Sequence, residues 1–200
     1  GTGAKAWAEA EPEGPQPAIF VAIFLSLLGF TMTGPMLPAL RVHFGLRASK
    51  TGLITSAFPL GMFVAVFAFP ALSDRWGRKP LLVASYLGVG TGMALQALAV
   101  HAGFSFVVFL VLRMATGAFA GASTVAKAYL ADASRPEQLP AVMARHESGA
   151  TLAFILGPFL GGLALAGGLP ACMALVSLTS LAAGLLVAVG LDEPSRRKPA

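Results

Sequence analysis

The residues best equipped for chemistry in this sequence are charges stranded among long apolar runs. Leu72-Ser73-Asp74-Arg75-Trp76-Gly77-Arg78-Lys79 sets one acid among three bases around a glycine. A short loop of this kind can hold Asp74 against helix N-termini and set Arg75, Arg78 and Lys79 against helix C-termini or lipid phosphates. An ordinary basic turn would have the same composition. Arg113 is the one charge between Pro80 and Ala126. It falls about ten residues into an apolar helix that rises about 1.5 Å per residue, near mid-membrane. An arginine at that depth costs at least about 2.5–3.5 kcal/mol, so it should face a cavity or a partner. Pairing with backbone carbonyls for structure alone is the plainer reading.

Two glycine patterns accompany these charges. Gly117 and Gly121 follow Arg113 at four-residue intervals, a stripe that lets a neighbouring helix approach. In Gly157-Pro158-Phe159-Leu160-Gly161-Gly162 the proline bends a helix and the glycines leave a groove for another. Asp132, Arg135, Arg145 and Glu147 bracket a loop and could join the Asp74 loop in a charge network, or simply be solvated. Other chemistry is thinly represented. Cys172 is the only cysteine, and His43, His101 and His146 lie far apart without metal-ligand spacing, which makes each a packing or loop residue. Neither a GxSxG elbow nor a His/Glu metal pair occurs in the apolar runs, so no enzyme, metal or cofactor is expected.

The elements that must position these groups follow from composition. With 56% apolar and 12% charged side chains and a mean hydropathy of +0.76, the chain is a membrane protein. Its net charge of +5 is scattered singly, without a basic face interleaved with aromatics, which argues against nucleic acid. Nothing resembles a cleavable signal peptide, and the Gly1 start suggests a fragment that begins upstream. Residues 1–17, with Glu9, Glu11 and Glu13 among prolines, read as a disordered tail. Uncharged runs then give six spans at about 18–40, 51–73, 80–100, 104–130, 148–166 and 170–191. Turns at His101-Ala102-Gly103 and Gly167-Gly168-Leu169-Pro170 divide the two longest runs. Residues 192–200 would open a cytoplasmic loop.

Six spans put both ends on one side. Lys5, Arg75, Arg78, Lys79, Lys127, Arg135, Arg145, Arg196, Arg197 and Lys198 fall there, against Arg41, Arg47 and Lys50 opposite, so both termini are expected in the cytoplasm. Gly34-Pro35, Pro38, Pro59, Pro70 and Gly157-Pro158 suggest bends within spans. Ala57-Phe58-Pro59-Leu60-Gly61 and Ala153-Phe154-Ile155-Leu156-Gly157 sit at matching places in the two three-helix halves, as an inverted repeat would place them.

Leu-Ser-Asp-Arg-x-Gly-Arg-Lys closely resembles the loop signature of the major facilitator superfamily, whose opening glycine is replaced here by Pro70. The resemblance covers about residues 18–191 and one of the family's two six-helix bundles. It implies an all-α membrane fold, a 3+3 inverted repeat forming half of a twelve-helix transporter, with a C-terminal six-helix half as partner. Asp74, Arg75, Gly77, Arg78 and Lys79 would then belong to a cytoplasmic gate. Arg113-x-x-x-Gly117-x-x-x-Gly121 resembles the fourth-helix pattern of proton-coupled members, in which the arginine is associated with proton transfer. Gly157-Pro158 to Gly161-Gly162 resembles the antiporter signature of the drug:proton exporters, whose earlier glycine is Ala153 here. Ala128-Tyr129-Leu130-Ala131-Asp132 resembles the fourth-helix end of such exporters and adds Asp132 to the proton-coupling candidates.

The resemblance therefore implies multidrug-type efflux against protons, in a plasma, inner or organelle membrane; the few charges deep in the spans suit a lipophilic or cationic solute, and Arg113 could equally bind an organic anion. A uniporter or symporter of an organic anion or sugar, or a half inactive alone, are the alternatives. One feature of the residues tells against complete coupling machinery: no carboxylate lies deep in any span, and arginine stays protonated. Asp74 or Asp132 would have to titrate, transport would have to be uncoupled, or the proton carrier would lie in the other half, which is the expected arrangement.

Overall fold

The computed structural model describes residues 14–193, without the side chains of residues 48 and 49. Lys5, the acidic segment up to Glu13 and Arg196, Arg197 and Lys198 lie outside the described residues. Helices α1 (Pro17–Met32), α2 (Met36–His43), α3 (Ala48–Trp76), α4 (Arg78–His101), α5 (Phe106–Gly117), α6 (Ala122–Asp132), α7 (Leu139–Leu165) and α8 (Leu169–Gly190) make up the bundle. Five helices are long and apolar enough to cross a membrane, counting α5 and α6 as one, and the bent pair α1 and α2 brings the number to six. Among the described residues the fold is all-helical.

Prolines act selectively. The chain breaks at Thr33-Gly34-Pro35, turning α2 by 44° from α1. Helices α3 and α7 instead run unbroken through Pro59, Pro70 and Pro158, where breaks in a soluble helix would be costly. Gly103 and Gly168 hold positive φ at the two turns that split the long apolar runs. Helix α7 starts at Leu139, with Pro140 in its first turn, so Arg145, His146 and Glu147 are helical and not in a loop. Order also reaches back into the segment read as a tail: Gln16 donates to Asp192 Oδ2 at 2.7 Å and accepts from the Asp192 N–H at 3.1 Å.

Close crossings organise the bundle in symmetric pairs. A methyl at Gly61 on α3 would stand 1.9 Å from Met114 O, and one at Gly117 on α5 would stand 2.2 Å from Phe58 O. The same relation recurs between α7 and α1, where a methyl at Gly157 would meet Thr31 Oγ1 at 1.8 Å and Leu28 O at 3.2 Å. Gly61 and Gly157 are the final residues of the two similar pentapeptides. Between α4 and α8 the contacts are reciprocal: Gly90 faces Leu181, and Gly184 faces Leu87. Second span on fourth, fifth on first and third on sixth are the pairings that exchanging two three-helix halves produces.

Lipid tails are as apolar as leucine, so burial alone does not hold these helices together; close packing and hydrogen bonds between helices do. Thr31 donates to Ala153 O at 2.9 Å, and Ser177 donates to Gly90 O at 2.7 Å. Ser85 donates to Phe119 O. Each such bond contributes on average about 0.6 kcal/mol. Two buried clusters fill the interior, one around Leu82, Val125, Tyr129 and Val187, the other around Met36, Ile54, Phe109 and Met173. Phe63, Phe67, Phe159, Leu185 and Val189 point outward and are at least 64% exposed, apolar surface suited to lipid or to another helical bundle.

Candidate functional site: a charged loop and an arginine-lined cavity

Asp74 and Arg78 are separated by the break between α3 and α4, which lies at Gly77. That residue has φ 106°, a left-handed conformation that favours glycine. A methyl there would also lie 2.8 Å from Glu193 Oε1. Glu193 follows α8 and is placed so that its carboxylate accepts the backbone N–H of Arg78 and, at 2.9 Å, that of Lys79. Though distant in sequence, it caps the start of α4, where two free N–H groups and the helix dipole favour negative charge. Gly77 thus serves both the turn and the close approach of this carboxylate.

Arg78 is the hub. Its Nη1 lies 2.9 Å from Asp74 Oδ1 and also bonds Ser73 Oγ, while its Nε lies 2.9 Å from Asp132 Oδ2 at the end of α6. The Arg78 and Asp132 side chains are 15% and 25% exposed, whereas Asp74 is 66% exposed. The partly buried pair carries most of the energy, because exposed pairs contribute under about 1 kcal/mol. Arg75 is exposed and Lys79 half-buried beside this hub.

Arg113 occupies a different place. It is 5% exposed, donates from Nε to Ile54 O at 3.1 Å and from Nη1 to Gln96 Oε1 at 3.5 Å, and sits 5.9 Å from the Phe58 ring centroid. Gln96 in turn donates to Thr116 Oγ1 at 2.8 Å. Among the described residues no carboxylate pairs with Arg113. It is the single charged residue among those lining a cavity of about 340 Å³, alongside Phe30, Phe58, Met62, Tyr86 and Met93. A buried cation among aromatic and thioether side chains can attract an anionic or polarisable group of a solute.

A second cavity of about 200 Å³ shares Ser26, Leu27, Tyr86, Ala122 and Ser123 with the first. It is lined at its other end by Lys127, His146 and Glu147. Lys127 Nζ lies 3.2 Å and His146 Nδ1 3.1 Å from the same oxygen, Glu147 Oε1. His146 is 6% exposed.

Several expectations change. Asp132 lines neither cavity; the end of α6 brings it to Arg78, so it belongs with the charged loop and not with Arg113. Glu147 pairs with Lys127 and His146, and Arg145 lies 5.4 Å from the Phe20 ring centroid, so of the four charges bracketing that loop Asp132 is the one bonded to Arg78. Gly117, Gly121, Gly157 and Gly161 meet neighbouring helices, but nothing lies within 4 Å of a methyl at Gly162, because that side of α7 faces outward with Pro158. Glu193, Gln96 and His146 were missed. Gln96 had a signal, as an amide alone in an apolar span; Glu193 had none, since its partner is distant in sequence.

A model of the Major Facilitator Superfamily matches residues 19–200. The crystal structure of the human organic anion transporter MFSD10 (TETRAN) is similar with a TM-score of 0.73 and 27% identity, over 88% of this chain and 47% of that one. The bovine Major facilitator superfamily domain-containing protein 10 is 33% identical over 172 residues, 72% of this chain and 37% of its own length. A class C tetracycline resistance protein of Escherichia coli is 31% identical over 157 residues, 72% of this chain and 36% of its own. The chain therefore spans less than half the length of these relatives.

Proposed function

The chain belongs to the major facilitator superfamily, and we propose that the protein carrying it moves a small organic solute across a membrane by alternating access. This six-helix bundle rocks against a second, C-terminal six-helix half around a central site. One observation carries the reading: Arg113, buried and without a carboxylate partner among the described residues, lines an otherwise uncharged cavity of about 340 Å³. Asp74, Arg78 and Asp132 form the gate that engages the second half when the opposite side is open. The distribution of basic residues supports a cytoplasmic position for that gate and for both termini, in a plasma or inner membrane.

The transport proposed is export of a lipophilic solute in exchange for protons, supported by the likeness to a tetracycline resistance protein and by the glycine pattern of α7. The lone positive charge in the cavity favours a neutral or anionic solute over the cationic one expected from composition. An organic anion is the second reading, favoured by Arg113 itself and by the likeness to a human organic anion transporter. Efflux of ethidium, tetracycline and fluorescein from vesicles containing the complete polypeptide, with and without an imposed pH gradient, tests both. Gradient-driven flux of tetracycline abolished by Arg113→Ala supports the exporter; gradient-insensitive flux of fluorescein alone supports the anion carrier and sinks the exporter.

A further inference from the structure

We infer that His146 is a proton-binding site of this half, loaded from solvent through Glu147 and opening into the cavity that holds Arg113. The inference rests on the proton-coupled reading above and supplies what that reading otherwise assigns to the absent half.

Coupling requires a group that gains and loses a proton under working conditions while it faces the solute path. Arginine cannot do this, and histidine is the side chain whose charge ordinarily changes between pH 5 and 8. His146 is 6% exposed yet lines the cavity of about 200 Å³ that shares five residues with the Arg113 cavity. At the outer end stand Glu147 and Lys127, with side chains 62% and 54% exposed, so solvent reaches the carboxylate directly. The geometry gives Glu147 two cations to choose between: Oε1 lies 3.1 Å from His146 Nδ1 and 3.2 Å from Lys127 Nζ. Neutral His146 with its proton on Nε2 presents an unprotonated Nδ1 to Glu147 Oε1 at 3.1 Å. A proton taken from solvent by the Glu147 carboxylate passes from Oε1 to Nδ1, the imidazole becomes imidazolium, and the restored carboxylate shifts its favour from the lysine to the histidine. Release to the other side of the membrane restores the neutral ring, so each cycle moves one proton.

The groups facing His146 are few. Helix α6 contributes Lys127 and α4 contributes Tyr86, while Ile23, Ser26 and Leu27 from α1 carry no ionisable group. On α7 itself, Glu147 is in contact and Arg145 is turned to the Phe20 ring. A protonated His146 adds a positive charge to a path that already holds Arg113 in the first cavity and Lys127 beside Glu147 in the second. Proton binding and binding of a neutral or cationic solute would therefore oppose one another, as exchange requires.

The test uses the complete polypeptide in proteoliposomes, with tetracycline, fluorescein and ethidium as probes, measuring gradient-driven flux and counterflow at equal pH. His146→Gln should lower gradient-driven flux at least tenfold while counterflow of the same probe persists. Histidine-selective NMR, assigned by the same substitution, should show the His146 ring gaining and losing a proton as pH is varied, and Glu147→Gln should alter that response. Gradient-driven flux surviving in His146→Gln overturns the role, and so does loss of counterflow together with driven flux, which would mark a packing residue. A ring that keeps one charge state from pH 5 to 8 overturns it independently. Absence of driven flux in the unsubstituted protein, with counterflow intact, defeats the proton-coupled reading itself and this inference with it.

Discussion

Arg78 Nε lies 2.9 Å from Asp132 Oδ2, joining the first residue of α4 to the last residue of α6 across 54 positions of sequence. The same guanidinium reaches back to Asp74 Oδ1 at 2.9 Å. Since Asp132 is 25% exposed and Asp74 66%, the two carboxylates are unequal partners. Asp132→Ala should lower stability by about 1.5–3 kcal/mol, the range for a charge-assisted hydrogen bond. Asp74→Ala should cost under about 1 kcal/mol and act mainly on transport. Thermal melting of the two variants in detergent compares them, and equal losses would refute the ranking. Arg78→Lys should behave nearly as badly as Asp132→Ala, because an ammonium cannot reproduce the guanidinium's separate donors to two carboxylates.

Gly77→Ala combines two penalties. A side chain at φ 106° and ψ 159° is strained, at roughly 1–3 kcal/mol in a region essentially reserved for glycine. The new methyl would also press on Glu193 Oε1 from 2.8 Å. The variant should melt well below the parent, and the double variant with Glu193→Ala should recover only the steric share. Glu193→Ala alone should cost about 1 kcal/mol through loss of the α4 cap. Strict additivity of the two substitutions would show that the carboxylate does not sit against Gly77.

Glycines of similar appearance should differ sharply. Gly117→Ala would drive a methyl to 2.2 Å from Phe58 O, a backbone atom that moves only if α3 and α5 separate. Gly157→Ala meets Thr31 and the carbonyl of Leu28. Both should reduce folded yield and shift the size-exclusion profile. Gly162→Ala, with open space around it, should stay within about 0.5 kcal/mol of the parent. A damaging Gly162→Ala in the isolated bundle would contradict the arrangement of α7.

Much of the fold was legible because membrane helices are written in uncharged length. The turns at Gly103 and Gly168 and the break at Gly34-Pro35 all coincide with residues whose backbone preferences differ from a helix. Burial of Arg113 followed from its depth alone, whereas Asp132, expected beside Arg113, is bonded to Arg78. What stayed hidden was long-range partnership. Nothing local in Asp192 or Glu193 says that they hold Gln16 and the start of α4, since those bonds form only when α8 lies beside α1 and α4. The sequence around His146 carries no signal of its surroundings, because its cavity is built from α1, α4, α6 and α7. Prolines marked the break at Gly34-Pro35 but not the course of α3 and α7, which remain continuous helices through Pro59, Pro70 and Pro158.

Gln96 provides the sharpest separation of structure from transport at the Arg113 site. Its amide oxygen accepts from Arg113 Nη1 at 3.5 Å and its amide nitrogen donates to Thr116 Oγ1 at 2.8 Å, so it orients the guanidinium without lining the large cavity. Gln96→Leu keeps the volume roughly constant but removes the acceptor, leaving Arg113 with Ile54 O and the Phe58 face. The guanidinium should then lean further toward the cavity. Solute affinity should change severalfold, read as a shift in the half-saturating concentration for the transported probe, while the maximal rate changes less. Arg113→Lys should retain the charge yet lose the bond from Nε, giving weak but measurable flux, and Arg113→Ala should give none. Equal flux from Arg113→Ala and the parent would remove the arginine from the solute path. Loss of flux in Gln96→Leu at unchanged half-saturation would place Gln96 in the rocking motion instead, because a residue that only positions a binding group alters affinity first.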